Sequence, residues 1–113
     1  MNHEEMNKLA NEFENSTEIL TAIGNDTRQK IILTLMNAED QSGMRVEEIA
    51  SKTFLSRPAV SHHLQILKHA GIIKMRKEGT KNFYYFDDTG DAIEQLIQTL
   101  THAKRLINET ARK

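Results

Sequence analysis

The histidine pair His62-His63 is the natural candidate for acid–base chemistry in this chain. Such work needs an orienting or proton-sharing carboxylate, and no Asp or Glu falls within a helical turn of either residue. No glycine-rich phosphate loop, nucleophile elbow or metal triad accompanies them. The 113 residues contain no cysteine, which excludes a thiol nucleophile, a disulfide framework, a thiolate metal site and a cysteine redox switch together. The expectation is a protein that is no enzyme and holds no cofactor and no metal.

The residues around the histidines suit hydrogen bonding to a polyanion instead. With Val60 at 0° and about 100° per residue, a helix through this segment gathers Ala59, His63, Leu64, Ile66, Leu67 and Ala70 on one side. The opposite side collects Pro58, Ser61, His62, Gln65 and His69, with Arg57 and Lys68 at its edge. Short hydroxyl, imidazole and amide groups of this kind fit base edges and phosphates in a major groove. His63 lies on the flank of the apolar side, so it is expected as a packed, hydrogen-bonded residue, whereas His62 points outward. Directly after this helix come Lys74, Arg76, Lys77 and Lys81, long cationic side chains that suit phosphates and the neighbouring minor groove.

Charge is distributed to match. Residues 1–56 carry five Lys/Arg against ten Asp/Glu, and residues 82–113 carry four against five. Residues 57–81 carry six (Arg57, Lys68, Lys74, Arg76, Lys77, Lys81) against Glu78 alone. The whole chain stands at −1, so a single window holds all the surplus positive charge.

The elements that must position these residues follow from periodicity. Met6, Leu9, Phe13, Thr17, Leu20 and Ile23 recur at helical spacing, and Gly24 stops that helix. Asp26 with Gln29 resembles a capping box opening a second helix through Ile31, Ile32, Leu35 and Met36. A polar turn over 37–43 precedes a short third helix, roughly Arg45 to Lys52, and a tight turn at Thr53-Phe54-Leu55. Ser56 is the N-cap of the fourth helix, Pro58 sits in its first turn, and Gly71 ends it. The period then changes to two at Ile73 and Met75. The polar run Glu78 to Asn82 reads as a hairpin loop and Phe83 to Phe86 as the second strand. A last helix begins near Asp91 and runs through Ile93, Leu96, Ile97, Leu100, Ala103 and Ile107.

One mainly helical domain with a small β-hairpin is therefore expected over 1–113, in the order helix, helix, helix, helix, strand, strand, helix. A helix-turn-helix occupies about 45–70 and a wing about 72–86. The helices at about 4–23 and 91–110 are long for so small a domain. They are expected to pair two copies through Met6, Leu9, Phe13, Ile93, Leu96, Ile97, Leu100 and Ile107. The expected DNA-facing set is Arg57, Pro58, Ser61, His62, Gln65 and Lys68 on the helix, with Lys74, Arg76, Lys77 and Lys81 on the wing.

In these motifs the sequence resembles the ArsR/SmtB-type winged-helix repressors of bacteria and archaea. The resemblance rests on Ile23-Gly24-Asn25-Asp26-Thr27-Arg28, on Phe54 to Leu67 with its Ser61-His62-His63-Leu64 centre, and on Ala70-Gly71-Ile72-Ile73. Glu78-Gly79 with Tyr84-Tyr85 completes it, over about residues 18–107. It implies a symmetric dimer that represses by occupying a dyad-symmetric operator in double-stranded DNA and is released by a chemical signal. In that family Ser56, Arg57, Ser61 and His62 are at positions that face DNA, so the resemblance adds Ser56 to the expected DNA-facing set. The sequence departs from the family's metal sensors. Arg45 and Glu47 stand where thiolate sensors carry cysteines. Asp91 is followed by Ile93, and His102 by Arg105, where zinc sensors carry further ligands. An inducer is thus left open, as is a site of another kind built from His3, His69 or His102.

Other readings are a winged helix used for protein docking, which would prefer aromatics and aliphatics on the outer face, and a longer MarR-type regulator. No apolar run approaches the ~18–20 residues of a membrane span, and the opening Met1-Asn2-His3-Glu4-Glu5 is acidic where a signal peptide is basic. The expected address is the cytoplasm, with no membrane partner.

Overall fold

The computed structural model describes residues 2–39 and 41–112. Asp40, inside the polar turn expected over 37–43, and the two terminal residues lie outside them. In chain order the elements are α1 (His3–Asn15), α2 (Thr17–Ile23), α3 (Asp26–Met36), α4 (Val46–Thr53), α5 (Arg57–His69), β1 (Ile73–Glu78), β2 (Lys81–Phe86) and α6 (Ala92–Ala111). This is the expected mainly helical winged helix-turn-helix, with one helix more before the hairpin.

The extra helix arises because the stripe expected as one helix over 4–23 is broken at Ser16, where φ is −100° and ψ 2°. Ser16 is buried, its hydroxyl donates to the Glu12 carbonyl at 2.9 Å, and it lies 3.4 Å from Thr99 Oγ1 on α6. A serine bonded back to residue i−4 bends a helix. Leu20 N still donates to Ser16 O at 3.0 Å, so the apolar register runs through the break and conceals it. The cap of α3 also differs from expectation. Asn25, not Asp26, is the N-cap, its Oδ1 accepting from Arg28 N at 3.0 Å. Gln29 donates instead to the Ile23 carbonyl at 2.8 Å.

The helix-turn-helix follows from local chemistry. Glu48 Oε1 accepts from Arg45 N at the start of α4, and Ser56 Oγ accepts from Ala59 N at the start of α5. Between them Phe54 turns the chain in the left-handed region at φ 60°, a conformation that bulky side chains rarely adopt. Gly71, at φ 80°, reverses the chain after α5 as expected of a C′ residue. Of the polar run Glu78 to Asn82, only Gly79 and Thr80 form the hairpin loop. The strands pair from Ile73↔Phe86 to Glu78↔Lys81. The wing is further anchored by a bridge between Met44 and the buried Tyr84, with both hydrogen bonds at 2.8 Å.

One core joins these elements. Val60, Leu64 and Leu67 of α5 are fully buried with Ile31 of α3, Ile49 of α4 and Ile73 of β1, and Leu96 of α6 reaches the same cluster. Yet the chain is elongated, 57 × 25 × 23 Å, with a radius of gyration of 17.3 Å. About 13 Å is typical of a compact domain this size. The excess length is an arm, α1 lying beside the 20-residue α6.

The arm leaves an apolar stripe uncovered. Met6 and Phe13 on α1 and Ile93, Ile97, Leu100 and Ile107 on α6 are between 38% and 65% exposed, and Leu9 is half-buried. Leu96, expected in the same stripe, is buried in the chain's own core and has little surface to offer a second copy. On the helix wheel it lies at the core-side edge of that stripe, about 60° from the buried Thr99.

Candidate nucleic-acid interface

Burial of Val60, Leu64 and Leu67 fixes the rotation of α5 about its axis, and with it the outward face. Arg57, Pro58, His62, Gln65 and His69 are exposed there, with Ser61 and Lys68 half-buried beside them. Ser56 stands at the head of this face. Its oxygen caps the helix while its O–H stays available to an acceptor. The structure therefore brings all seven expected reader residues to one surface.

A buried guanidinium locks α5 to the helices behind it. Arg28 is 7% exposed. Its Nε donates to Ala22 O at 2.7 Å and its NH2 to Thr21 O at 3.0 Å, both at the end of α2. Its NH1 lies 3.1 Å from His63 Nδ1. Because Arg can only donate, His63 Nδ1 is the acceptor and the neutral ring carries its proton on Nε2. Burial, then the Arg28 charge, then His62 hold the His63 pKa below its ordinary 6.5. His63 is thus the packed, hydrogen-bonded residue expected. His62 meets it edge-on at 5.4 Å and stays exposed.

The four wing cations divide into two pairs. Lys74 Nζ lies 3.2 Å from Asp87 Oδ1 and donates to Thr89 Oγ1 at 2.9 Å. Desolvation pushes the Asp87 carboxyl up, but hydrogen bonds from Thr89, Lys74 and Gly90 N, with the Lys74 charge, hold it below its ordinary value. Arg76 pairs with Glu78 at 3.0 Å, donates to the Ser42 carbonyl, and stacks over its cross-strand neighbour Phe83 at 4.7 Å. Lys77 and Lys81 are exposed, with no ion-pair partner among the described residues. The hairpin therefore offers two unpaired cations to an external anion rather than four.

Several contributors were not read from sequence. Arg28 carried no tertiary signal, since its three partners come from α2 and α5. Glu47 pairs with Arg45 at 2.7 Å and with Arg57 at 3.4 Å, reaching across from α4 to the head of α5. Phe54, 96% exposed beside that head, has a backbone conformation that residue type alone argues against.

The geometry has counterparts among known proteins. The model of the arsR family of bacterial regulatory proteins matches residues 25–75, from the cap of α3 into β1. An HTH-type transcriptional regulator of Methanocaldococcus jannaschii is 45% identical over 76% of this chain and 91% of its own length. A putative arsenical resistance operon repressor of Halobacterium salinarum is 35% identical over 74% of this chain and 66% of its own length. In Mycobacterium bovis, the homodimeric winged helix-turn-helix DNA-binding domain of a possible ArsR-family regulator superposes with a TM-score of 0.63. That domain is 25% identical, and the match covers 86% of each chain.

Arg28 and His63 predict an acid-sensitive domain. A His whose folded pKa lies below its unfolded value leaves the unfolded chain binding more protons as pH falls. Stability is then complete above about pH 6.5 and declines below it, as the unfolded chain and then the folded one protonates. Glutamine at this position accepts from Arg28 without titrating. His63→Gln is therefore expected to lose less melting temperature than wild type between pH 7.5 and pH 5, in matched thermal unfolding. An equal loss in both proteins would contradict this role for His63.

Proposed function

This chain belongs to the arsR family of bacterial regulatory proteins, and we propose that it is a homodimeric, sequence-specific repressor that occupies a dyad-symmetric operator in double-stranded DNA. The reading is carried by the outward face of α5. It combines Ser61, His62 and Gln65, which suit base edges, with a rigid apolar back that fixes where they point. Ser56, Arg57 and Lys68 flank them as phosphate contacts. Lys77 and Lys81 add wing contacts to the backbone, while Lys74 and Arg76 hold the wing's shape through their own carboxylates.

Dimerisation supplies the second half-site. Burying a few hundred Å² of the stripe from Met6 to Ile107, at about 25 cal/mol per Å², gives several kcal/mol before association entropy is subtracted. Two readers a helical turn apart then engage one face of the duplex. The residues at the positions used by the family's metal sensors do not suit a metal ion. Arg45 and Glu47 are paired with each other, Ile93 is apolar, and His102 Nδ1 is taken by Glu12 at 2.7 Å. No helix is long and apolar enough to cross a membrane among the described residues, and the proposed place of work is with DNA in the cytoplasm.

Reader and wing are separable by mutation. Lys77→Ala is expected to weaken operator and random duplex by a similar factor and to shallow the salt slope by about one. His62→Ala is expected to cost about 1–3 kcal/mol on the operator and clearly less on random DNA. Equal losses on both DNAs for His62→Ala would remove it from base reading. The dimer has its own test in sedimentation. Leu100→Glu is expected to give a folded monomer with much weaker operator binding, and a wild-type protein already monomeric at micromolar concentration would contradict the dimer.

A further inference from the structure

Three cations of the interface are already engaged by carboxylates of the same chain. Arg57 is held by Glu47 at 3.4 Å, Lys74 by Asp87 at 3.2 Å, and Arg76 by Glu78 at 3.0 Å. The last two pairs are within the wing region and shape it. Glu47 is different, because it reaches from α4 to the first residue of the reader helix. It also forms the longest of the three contacts, and to an Arg57 side chain that is 71% exposed. Around it lies a recess of about 180 Å³ lined by Arg45, Val46, Glu47, Arg57, Thr80 and Asn82, where α4, α5 and the wing tip converge. Two guanidinium groups therefore hold one carboxylate, with Thr80 lining the same recess, beside the head of the reader helix.

We propose that Glu47 is a built-in competitor for backbone phosphate: its carboxylate occupies an anion seat made by Arg45, Arg57 and Thr80, which a phosphodiester group takes when duplex DNA binds. This rests on the DNA-binding reading above. The seat has the right charge and donors for a phosphodiester, since guanidinium groups bind carboxylate and phosphate through the same fork of N–H donors. A half-exposed ion pair is weak enough to be exchanged. Each occupied seat removes one phosphate contact from the encounter with DNA of any sequence, and phosphate contacts dominate non-specific affinity. The chain as a whole is at −1, so its attraction to DNA depends on a few local cations. An internal carboxylate on one of them then acts as a brake on binding to the wrong DNA. The base-reading residues Ser61, His62 and Gln65 are left untouched.

The test uses the full chain and a mixed-sequence duplex. Glu47→Gln keeps the size of the side chain and loses only its charge. It is expected to bind that duplex about two- to fivefold more tightly than wild type, the strength of an exposed ion pair. The salt slope should steepen by up to about one. With Arg45 and Arg57 both replaced by Ala the same change should bring no gain, because both arginines of the seat pair with Glu47. Weaker or unchanged binding by Glu47→Gln would overturn the proposal, the first because Glu47 would then be positioning Arg57. A gain that persists without both arginines would overturn it too, as a diffuse charge effect. If wild type shows no salt-dependent binding to any duplex, the DNA-binding reading fails with it, a result distinct from the other three.

Discussion

The Arg28 guanidinium is the point on which the arrangement of this molecule turns. It is buried, it cannot accept a hydrogen bond, and its donors reach the last carbonyls of α2 and the imidazole of α5. A charge in such a place is tolerable only when fully hydrogen-bonded, because removing one partner leaves the other desolvated and unpaired. That requirement makes α2, α3 and α5 a single unit. Since α2 continues from α1, and α1 lies along α6, the same unit ties the orientation of the reader to the arm proposed to pair two copies. In the proposed dimer, the angle of each reader to its own arm would be held by hydrogen bonds within each chain.

Around that unit, burial and charge divide the surface into two kinds. The arm exposes a stripe of large apolar side chains from Met6 and Phe13 to Ile107. The α5 face and the wing present hydroxyl, imidazole, amide and cationic groups and are built to exchange water for a polyanion. Within the second surface the charges are graded. Lys74 and Arg76 pair with carboxylates of the wing region, Lys77 and Lys81 have no ion-pair partner among the described residues, and Arg57 stands between, its contact with Glu47 the longest of the three. On the proposed reading, specific and general affinity fall to different side chains.

The helix-turn-helix was largely legible in the sequence because local chemistry specifies it. Ser56, Pro58 and Gly71 mark the ends of α5, and the spacing of Val60, Leu64 and Leu67 determines which of its side chains face outward. The outward set Arg57, Pro58, His62, Gln65 and His69 follows from those positions alone. What escaped were features set by contacts distant in sequence. The break at Ser16 depends on α6 and Thr99, and it leaves the apolar period intact. Leu96 shares the spacing of an exposed stripe but stands about one helical step toward the core, a difference visible only once α6 is docked. The pairing of Lys74 with Asp87 depends on how the two strands lie side by side. Phe54 in the left-handed region runs against its residue type, and no pattern announces such a conformation.

Guanine methylation interference on genomic DNA retained by the protein tests most directly whether two α5 helices read one operator. N7 of guanine lies in the major groove, where the face of α5 is proposed to sit. The expected result is two interfering patches related by a dyad, about 10–10.5 base pairs apart or a multiple of that spacing, with two chains bound per fragment. A single patch, or retention with no major-groove interference at all, would contradict the assignment of α5 as the reader of a symmetric dimer.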